Sequence, residues 1–233
     1  WKKNCEEERL LGVDIMGHLD HPLLRPGAEG RAELVQYLKQ VVADTAKELS
    51  ERFGIAYSAA NTCLKPGGDS GVFFHSCTLG GYASEYQIRT TREAMTSPVT
   101  AMLRDQGLPV ETDVVNPELA VISWPRKNPS GCVTEGSMGA IEQLENWLFW
   151  KKNWAEHSCS TTIHVKPHEW LAVGAWIYQK EHFEHLTGVC FMPFDDHSYV
   201  QAPNQRITQE QYEKLSGEMP VIDWSKLMRY EHE

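Results

Sequence analysis

β-prone runs alternate with runs of helical periodicity along most of the chain, and this alternation constrains the fold more than any single motif. Residues 55–64, 86–91, 119–124, 159–165 and 186–192 read as strands, with Pro125 and Pro193 expected to close the third and the fifth. Over 31–53 the apolar residues Leu34, Val35, Leu38, Val41, Val42, Ala46, Leu49 and Phe53 recur at spacings of three and four, and Gly54 supplies a C-terminal stop. Ser97-Pro98 caps and opens a helix to about 106, ended by Gly107. A longer helix spans 139–157, with Ile141, Leu144, Leu148 and Trp154 on one face and Trp147 and Trp150 beside it. Lys166-Pro167 opens another over 169–179, and Thr208 with Gln211 has capping-box spacing for a last helix over 210–215. Strands and helices alternating at these spacings predict an α/β chain with mainly parallel strands, taken as a single domain over 1–233.

A chain of 233 residues can bury a substantial core. Its net charge of −10 argues against a DNA or RNA partner, for which a basic face is needed. No run approaches the roughly 18 apolar residues of a membrane span. Residues 1–9 are polar and charged with no apolar segment after them, so no signal peptide is read there. A start at Trp1 in place of Met suggests a piece of something longer or a trimmed end. The six cysteines, Cys5, Cys63, Cys77, Cys132, Cys159 and Cys190, form no CxxC pair, and free thiols in a reducing cytoplasm are expected.

The stretch Cys63-Leu64-Lys65-Pro66-Gly67-Gly68-Asp69-Ser70-Gly71 follows the first strand-like run. Glycines after a strand can gather backbone N–H groups around an anion, because the main chain then comes close to phosphate oxygens. Taken alone the signal is weak, since neither GxxxxGK[ST] nor GxGxxG is present and glycine clusters are more often plain turns. Ser70, Cys63 and Cys77 have no base fixed to them by sequence. His18 with His21, the group His157, Cys159, His164 and His168, and His182 with His185 raise a metal reading. No pair is backed by a second at ligand spacing, and Cys159 and His164 would face opposite sides of a strand, so no metal site is assigned. Phe194-Asp195-Asp196-His197, after the last strand, is either a carboxylate–imidazole pair or a polar turn.

The order of several motifs resembles the C-terminal part of a class II, adenosylcobalamin-dependent ribonucleotide reductase. Arg9-Leu10-Leu11-Gly12-Val13-Asp14-Ile15-Met16-Gly17 is similar to the segment ahead of that family's final barrel strands. Lys65-Pro66-Gly67-Gly68 stands where the family has KPSGT, and Tyr86-Gln87-Ile88-Arg89-Thr90 resembles the YYIRT that follows. The runs Ser158-Cys159-Ser160-Thr161-Thr162-Ile163, His168-Glu169-Trp170, Gly188-Val189-Cys190-Phe191-Met192-Pro193, Asp196-His197-Ser198-Tyr199 and Gln201-Ala202-Pro203 complete the series. The chain departs from the pattern at Gly67, in the serine position, at Asp69, near the threonine position, and at Gly80-Gly81-Tyr82, where a GIHAR-like motif is usual.

The resemblance implies the C-terminal portion of a ten-stranded α/β barrel of ribonucleotide reductase type, completed by a partner chain. It implies a component of an enzyme that reduces ribonucleotides by thiyl-radical chemistry, inactive alone, with adenosylcobalamin shared with a large catalytic subunit that carries the radical cysteine. No catalytic residue is then assigned to this chain. Lys65, Pro66, Gly67, Gly68, Asp69, Ser70 and Gly71 would bind the substrate phosphates. The alternatives are a non-catalytic scaffold or regulatory barrel half with a decayed phosphate loop, or an unrelated domain for anionic ligands.

Overall fold

The computed structural model describes residues 1–66, 71, 76–77, 79–194 and 199–231. Its helices are α1 (Lys2–Glu8), α2 (Arg31–Phe53), α3 (Pro98–Asp105), α4 (Ala140–Asn153), α5 (Trp170–Ile177), α6 (Lys180–Phe183), α7 (Gln209–Glu218) and α8 (Leu227–Tyr230). Its strands are β1 (Tyr86–Ala94), β2 (Glu111–Thr112), β3 (Leu119–Lys127), β4 (Thr161–Val165), β5 (Val189–Pro193) and β6 (Asn204–Arg206). They fall into two compact units, Trp1–Tyr82 with Cys132–Asp195 and Ala83–Gly131 with Asp196–Glu233. Among the described residues no helix is long and apolar enough to cross a membrane.

The first unit is built on the two long helices. α2 ends where the periodicity ends: Gly54 takes φ 63°, and its N–H donates back to the Glu51 and Ser50 carbonyls. α4 starts at Gly139, whose N–H donates to the Glu142 carboxylate at 2.7 Å. Leu144, Trp147, Leu148 and Trp150 of α4 are all buried, so this helix is covered on more than the one face its spacing suggested. Val35 of α2, Ile163 and Val165 of β4, and Val173 and Trp176 of α5 complete the core. Two of its indoles are anchored by their N–H groups: Trp147 Nε1 donates to the Cys159 carbonyl and Trp154 Nε1 to the Cys63 carbonyl, both at 2.7 Å, whereas the buried Trp150 N–H has no acceptor among the described residues.

Parallel pairing belongs to this unit, in short pieces. β4 and β5 pair from Thr161 opposite Val189 to Val165 opposite Pro193. Pro193 therefore lies within its strand, and the Phe194 N–H extends the ladder by donating to the Val165 carbonyl at 2.8 Å. The run 55–64 is not a strand. Only its end pairs, through one parallel bridge between Val13 and Thr62. The Leu11 N–H donates to the Ala60 carbonyl (2.9 Å), that of Val13 to Asn61 (2.9 Å) and that of Cys63 to Val13 (3.0 Å).

The second unit corrects the expectation of mainly parallel strands. Its four-stranded sheet, in the order β2-β3-β1-β6, is antiparallel throughout. β1 and β3 run opposite one another from Tyr86–Lys127 to Ala94–Leu119. The link between them therefore begins and ends at the same end of the sheet. Strand–helix periodicity carries no information on strand direction, and a short helix with a returning β2 makes this link as readily as a crossover does. Pro125 does not stop β3, which continues to Lys127. β2 flanks only Ala120 and Val121, so around Pro125 one side of β3 has no described strand partner and the missing N–H is tolerated. Met102 and Leu103 of α3 pack with Leu108 and Ile122 in a core of this unit's own. α7 carries the expected capping box, with Thr208 Oγ1 accepting from the Gln211 N–H and the Gln211 side chain accepting from the Thr208 N–H.

Candidate functional site

The chain enters the candidate loop from the paired end of the 55–64 run. Thr62 is tied down by its hydroxyl, which donates to the Trp154 carbonyl at 2.5 Å, and Cys63 by the Trp154 indole. Glu156 accepts the Asn61 N–H at 2.6 Å and lies 3.6 Å from the Lys39 ammonium. Burial opposes ionisation of Glu156, but the Asn61 N–H and the Lys39 charge outweigh it and hold its carboxyl below the usual range. The approach to the loop is thus fixed by helix α4 and the turn after it.

Of the seven predicted phosphate-binding residues, Lys65 and Pro66 are exposed at the end of this anchored stretch and Gly71 is buried, its carbonyl accepting the Ser76 N–H at 3.0 Å. Gly67, Gly68, Asp69 and Ser70 lie outside the described residues, as do Asp195, Asp196 and His197 of the possible carboxylate–imidazole pair. The Lys65 N–H donates to Asp14 Oδ1 at 3.2 Å. Burial pushes the Asp14 carboxyl up, with the Lys65 and Ile15 N–H groups working against that shift. Nothing adjacent to Asp14 ties it to the loop in sequence, where it sits in an otherwise apolar run. A lone acid in such a run is itself a signal, since an unpaired buried carboxylate is costly.

The cysteines nearby are poorly suited to thiolate chemistry. All six are free thiols, and Cys63, Cys77 and Cys159 are buried. Burial and the neighbouring Asp14 carboxylate raise the Cys63 thiol, and burial pushes Cys159 up to about 12. Gly12 lies against Cys63: a Cβ there would sit 3.1 Å from its sulfur. Beyond the loop, Asp20 Oδ2 accepts from the Cys77 N–H at 2.7 Å and from the Tyr82 hydroxyl at 3.0 Å, binding the 17–20 turn to the segment after the loop. Burial, then the Asp20 carboxylate, pushes the Tyr82 phenol up, so it stays a neutral donor. In the second unit, the Tyr86-Gln87-Ile88-Arg89-Thr90 motif is the start of β1, and Arg89 Nη1 donates to Asn204 Oδ1 of β6 at 3.3 Å. Among the described residues, no three His, Cys, Asp or Glu side chains gather as a metal site would need.

No family model matches the chain. It is similar to the adenosylcobalamin-dependent ribonucleoside-triphosphate reductase of Lactobacillus gasseri, at 26% identity over 204 residues that cover 81% of this chain and 26% of that protein. The reductase of the same name from Euglena gracilis is 30% identical over 226 residues, 92% of this chain and 30% of that protein. A probable reductase of this kind from Dictyostelium discoideum is 27% identical over 187 residues, 78% of this chain and 24% of that one. The crystal structure of a B12-dependent (class II) ribonucleotide reductase superposes with a TM-score of 0.82 at 20% identity, over 98% of this chain and 35% of that one. The resemblance in the motifs thus extends over most of the chain, and the fold is that of part of a class II reductase, in keeping with a portion of an α/β barrel. The chain spans about a quarter to three-tenths of the length of these curated relatives.

Proposed function

We propose that this chain supplies one part of the barrel of an adenosylcobalamin-dependent ribonucleotide reductase and completes it with a larger catalytic chain. The observation that carries this reading is the open β-structure of the first unit. β4 and β5 form a two-stranded parallel sheet among the described residues, with Cys190 and Met192 of β5 exposed. Parallel strands are ordinarily covered on both faces and paired at both edges, so such a pair calls for further strands. The likeness to proteins more than three times as long points to the source of those strands.

In this reading the partner carries the radical cysteine. Residues 65–71 hold the phosphates of a ribonucleotide by main-chain N–H groups. Two cavities of the first unit, about 560 and 640 Å³, are of the size that takes a small organic ligand. In this reading the cobalamin is shared with the partner, and no step is assigned to it on this chain.

The test is reconstitution. The isolated chain should expose apolar surface and reduce no ribonucleotide. Mixed with the large chain it should form a stoichiometric complex with cobalamin-dependent turnover. A chain that reduces ribonucleotides unaided, or never associates with such a partner, overturns the split-enzyme reading. A complex that forms without any contribution to nucleotide binding would favour a scaffold with a decayed loop, which the acid at Asp69 beside a polyphosphate would explain.

A further inference from the structure

A cation in the first turn of a helix opposes the helix dipole, and a buried guanidinium without a counter-charge is costly. Arg31 is both. It opens the 23-residue helix α2 and is only 8% exposed. Among the described residues no carboxylate lies within ion-pair distance of it. One arm donates to Asn146 Oδ1 at 2.6 Å, and the plane lies 3.7 Å over the Phe149 ring. Its Nε has no acceptor, nor has Nδ2 of Asn146, a residue 3% exposed. Two buried donor groups on facing helices, α2 and α4, are therefore left unused.

Both side chains line the cavity of about 640 Å³, and so does Arg25, held by its Nε to the Leu19 carbonyl at 2.7 Å. The cavity's carboxylates are engaged elsewhere: Glu142 with the Gly139 N–H at 2.7 Å and Glu145 with the Trp176 indole N–H at 2.5 Å. We infer that this cavity binds a small oxyanion, a carboxylate or phosphate group, through the Arg31 guanidinium and the Asn146 side chain, with Arg25 adding charge at its edge. The site shares no residue with the 65–71 loop. It has room for a small organic body behind the anionic group, against the Phe149 ring.

Titration of the full chain with inorganic phosphate, followed by calorimetry and thermal melting, tests this. One site is expected, with Tm rising by about 3–5 °C at a tenfold excess over Kd. Arg31→Met should abolish the response. Asn146→Asp should abolish it too, because an internal carboxylate beside the guanidinium takes the anion's place. That variant should melt no lower than wild type without phosphate, which keeps the test decisive even if Arg31→Met folds poorly. Phosphate held only by the 65–71 loop would survive both substitutions. That result, or no phosphate binding by the wild-type chain, overturns the proposal.

Discussion

The two units answer the same problem, burying polar groups, in different ways. In the second, the buried Asp113 is fully used: its carboxylate accepts from Arg92 Nε at 2.7 Å and from the Val115 and Asn116 N–H groups, each at 2.8 Å. Its sheet is long and regular, with β1 and β3 paired over nine residues each. The first unit has its β-structure in a five-residue parallel pair and single bridges. Its core also holds His18, Arg31, Asn146 and the Trp150 indole N–H with donors or acceptors unmatched. The second unit also leaves Gln87 Oε1, Arg89 Nε and Thr90 Oγ1 of β1 unmatched, so what sets the first unit apart is its short strands together with unmatched side chains, Arg31 and Asn146, that line a cavity.

The contrast is tested most severely at the centre of each core. Trp147 is fully buried, and its indole satisfies the Cys159 carbonyl. Trp147→Ala should cost about 3–5 kcal/mol from the lost side chain, with about 1–3 kcal/mol more from the stranded carbonyl. Met102→Ala, in the other core, should cost about 2–5 kcal/mol. Urea unfolding followed by tryptophan fluorescence and by circular dichroism separates the outcomes. If the units are independent, each substitution moves its own transition. A single transition displaced by both would make the chain one cooperative domain, and the contrast between units would be one of composition only.

Local chemistry made much of this architecture legible. The spacing of three and four over 31–53 with Gly54 behind it, and the Thr208–Gln211 pair, state their structures in a few adjacent residues, and both formed as read. Strand direction is not written that way, so the β1–β3 pairing is antiparallel where the periodicity suggested parallel strands. Nor is Pro125 legible as a strand residue until it is known that β2 covers only Ala120 and Val121. At the candidate site the limit is the same. The loop could be picked out from its own glycines, but Asp14, which holds the Lys65 N–H, is 51 positions away. Arg31 meets Asn146 across 115 positions, and nothing in either helix announces the other.

Acid should separate the units next. His18 is 1% exposed, neither ring nitrogen has a hydrogen bond of ordinary geometry, and the ring stands edge-on to Trp150 at 4.9 Å. Burial, then the Arg31 charge, lowers its pKa from 6.5 to about 3, with the Ile15 backbone offsetting only part. A depressed folded pKa means the unfolded chain binds the proton first. The stability is fully present above pH 6.5 and drains as pH falls towards 3, at about 1.4 kcal/mol per unit. Between pH 7.5 and 5 the stability of His18→Leu relative to wild type should therefore improve by about 2 kcal/mol. In the second unit the Asn116 N–H, then Arg92, hold Asp113 below its ordinary 3.8, so that contribution is constant over the same span and fades only in stronger acid. Equal acid sensitivity of the two units, unchanged in His18→Leu, would erase this part of the comparison.

The smallest effect concerns what the first unit would bind. Lys65 leads into the loop with a carboxylate, Asp14, already on its N–H, and Asp69 adds a second acid within the glycine run. If main-chain N–H groups of 65–71 hold substrate phosphates, Asp69 works against them. One charge a few ångströms from a phosphate is worth about 1–4 kcal/mol across effective dielectrics of 80 to 20. Asp69→Thr removes that charge and puts a hydroxyl where the family has one, so nucleotide affinity in the assembled complex should rise roughly tenfold. Gly68→Val should lower it, because a β-branched residue resists positive φ and keeps the backbone from the phosphate. Calorimetry on the wild type and both variants decides between a cradle and a turn. Affinity that ignores both substitutions would leave 65–71 a plain turn. The first unit's readiness for an added group would then rest on its open strands and the Arg31 cavity alone.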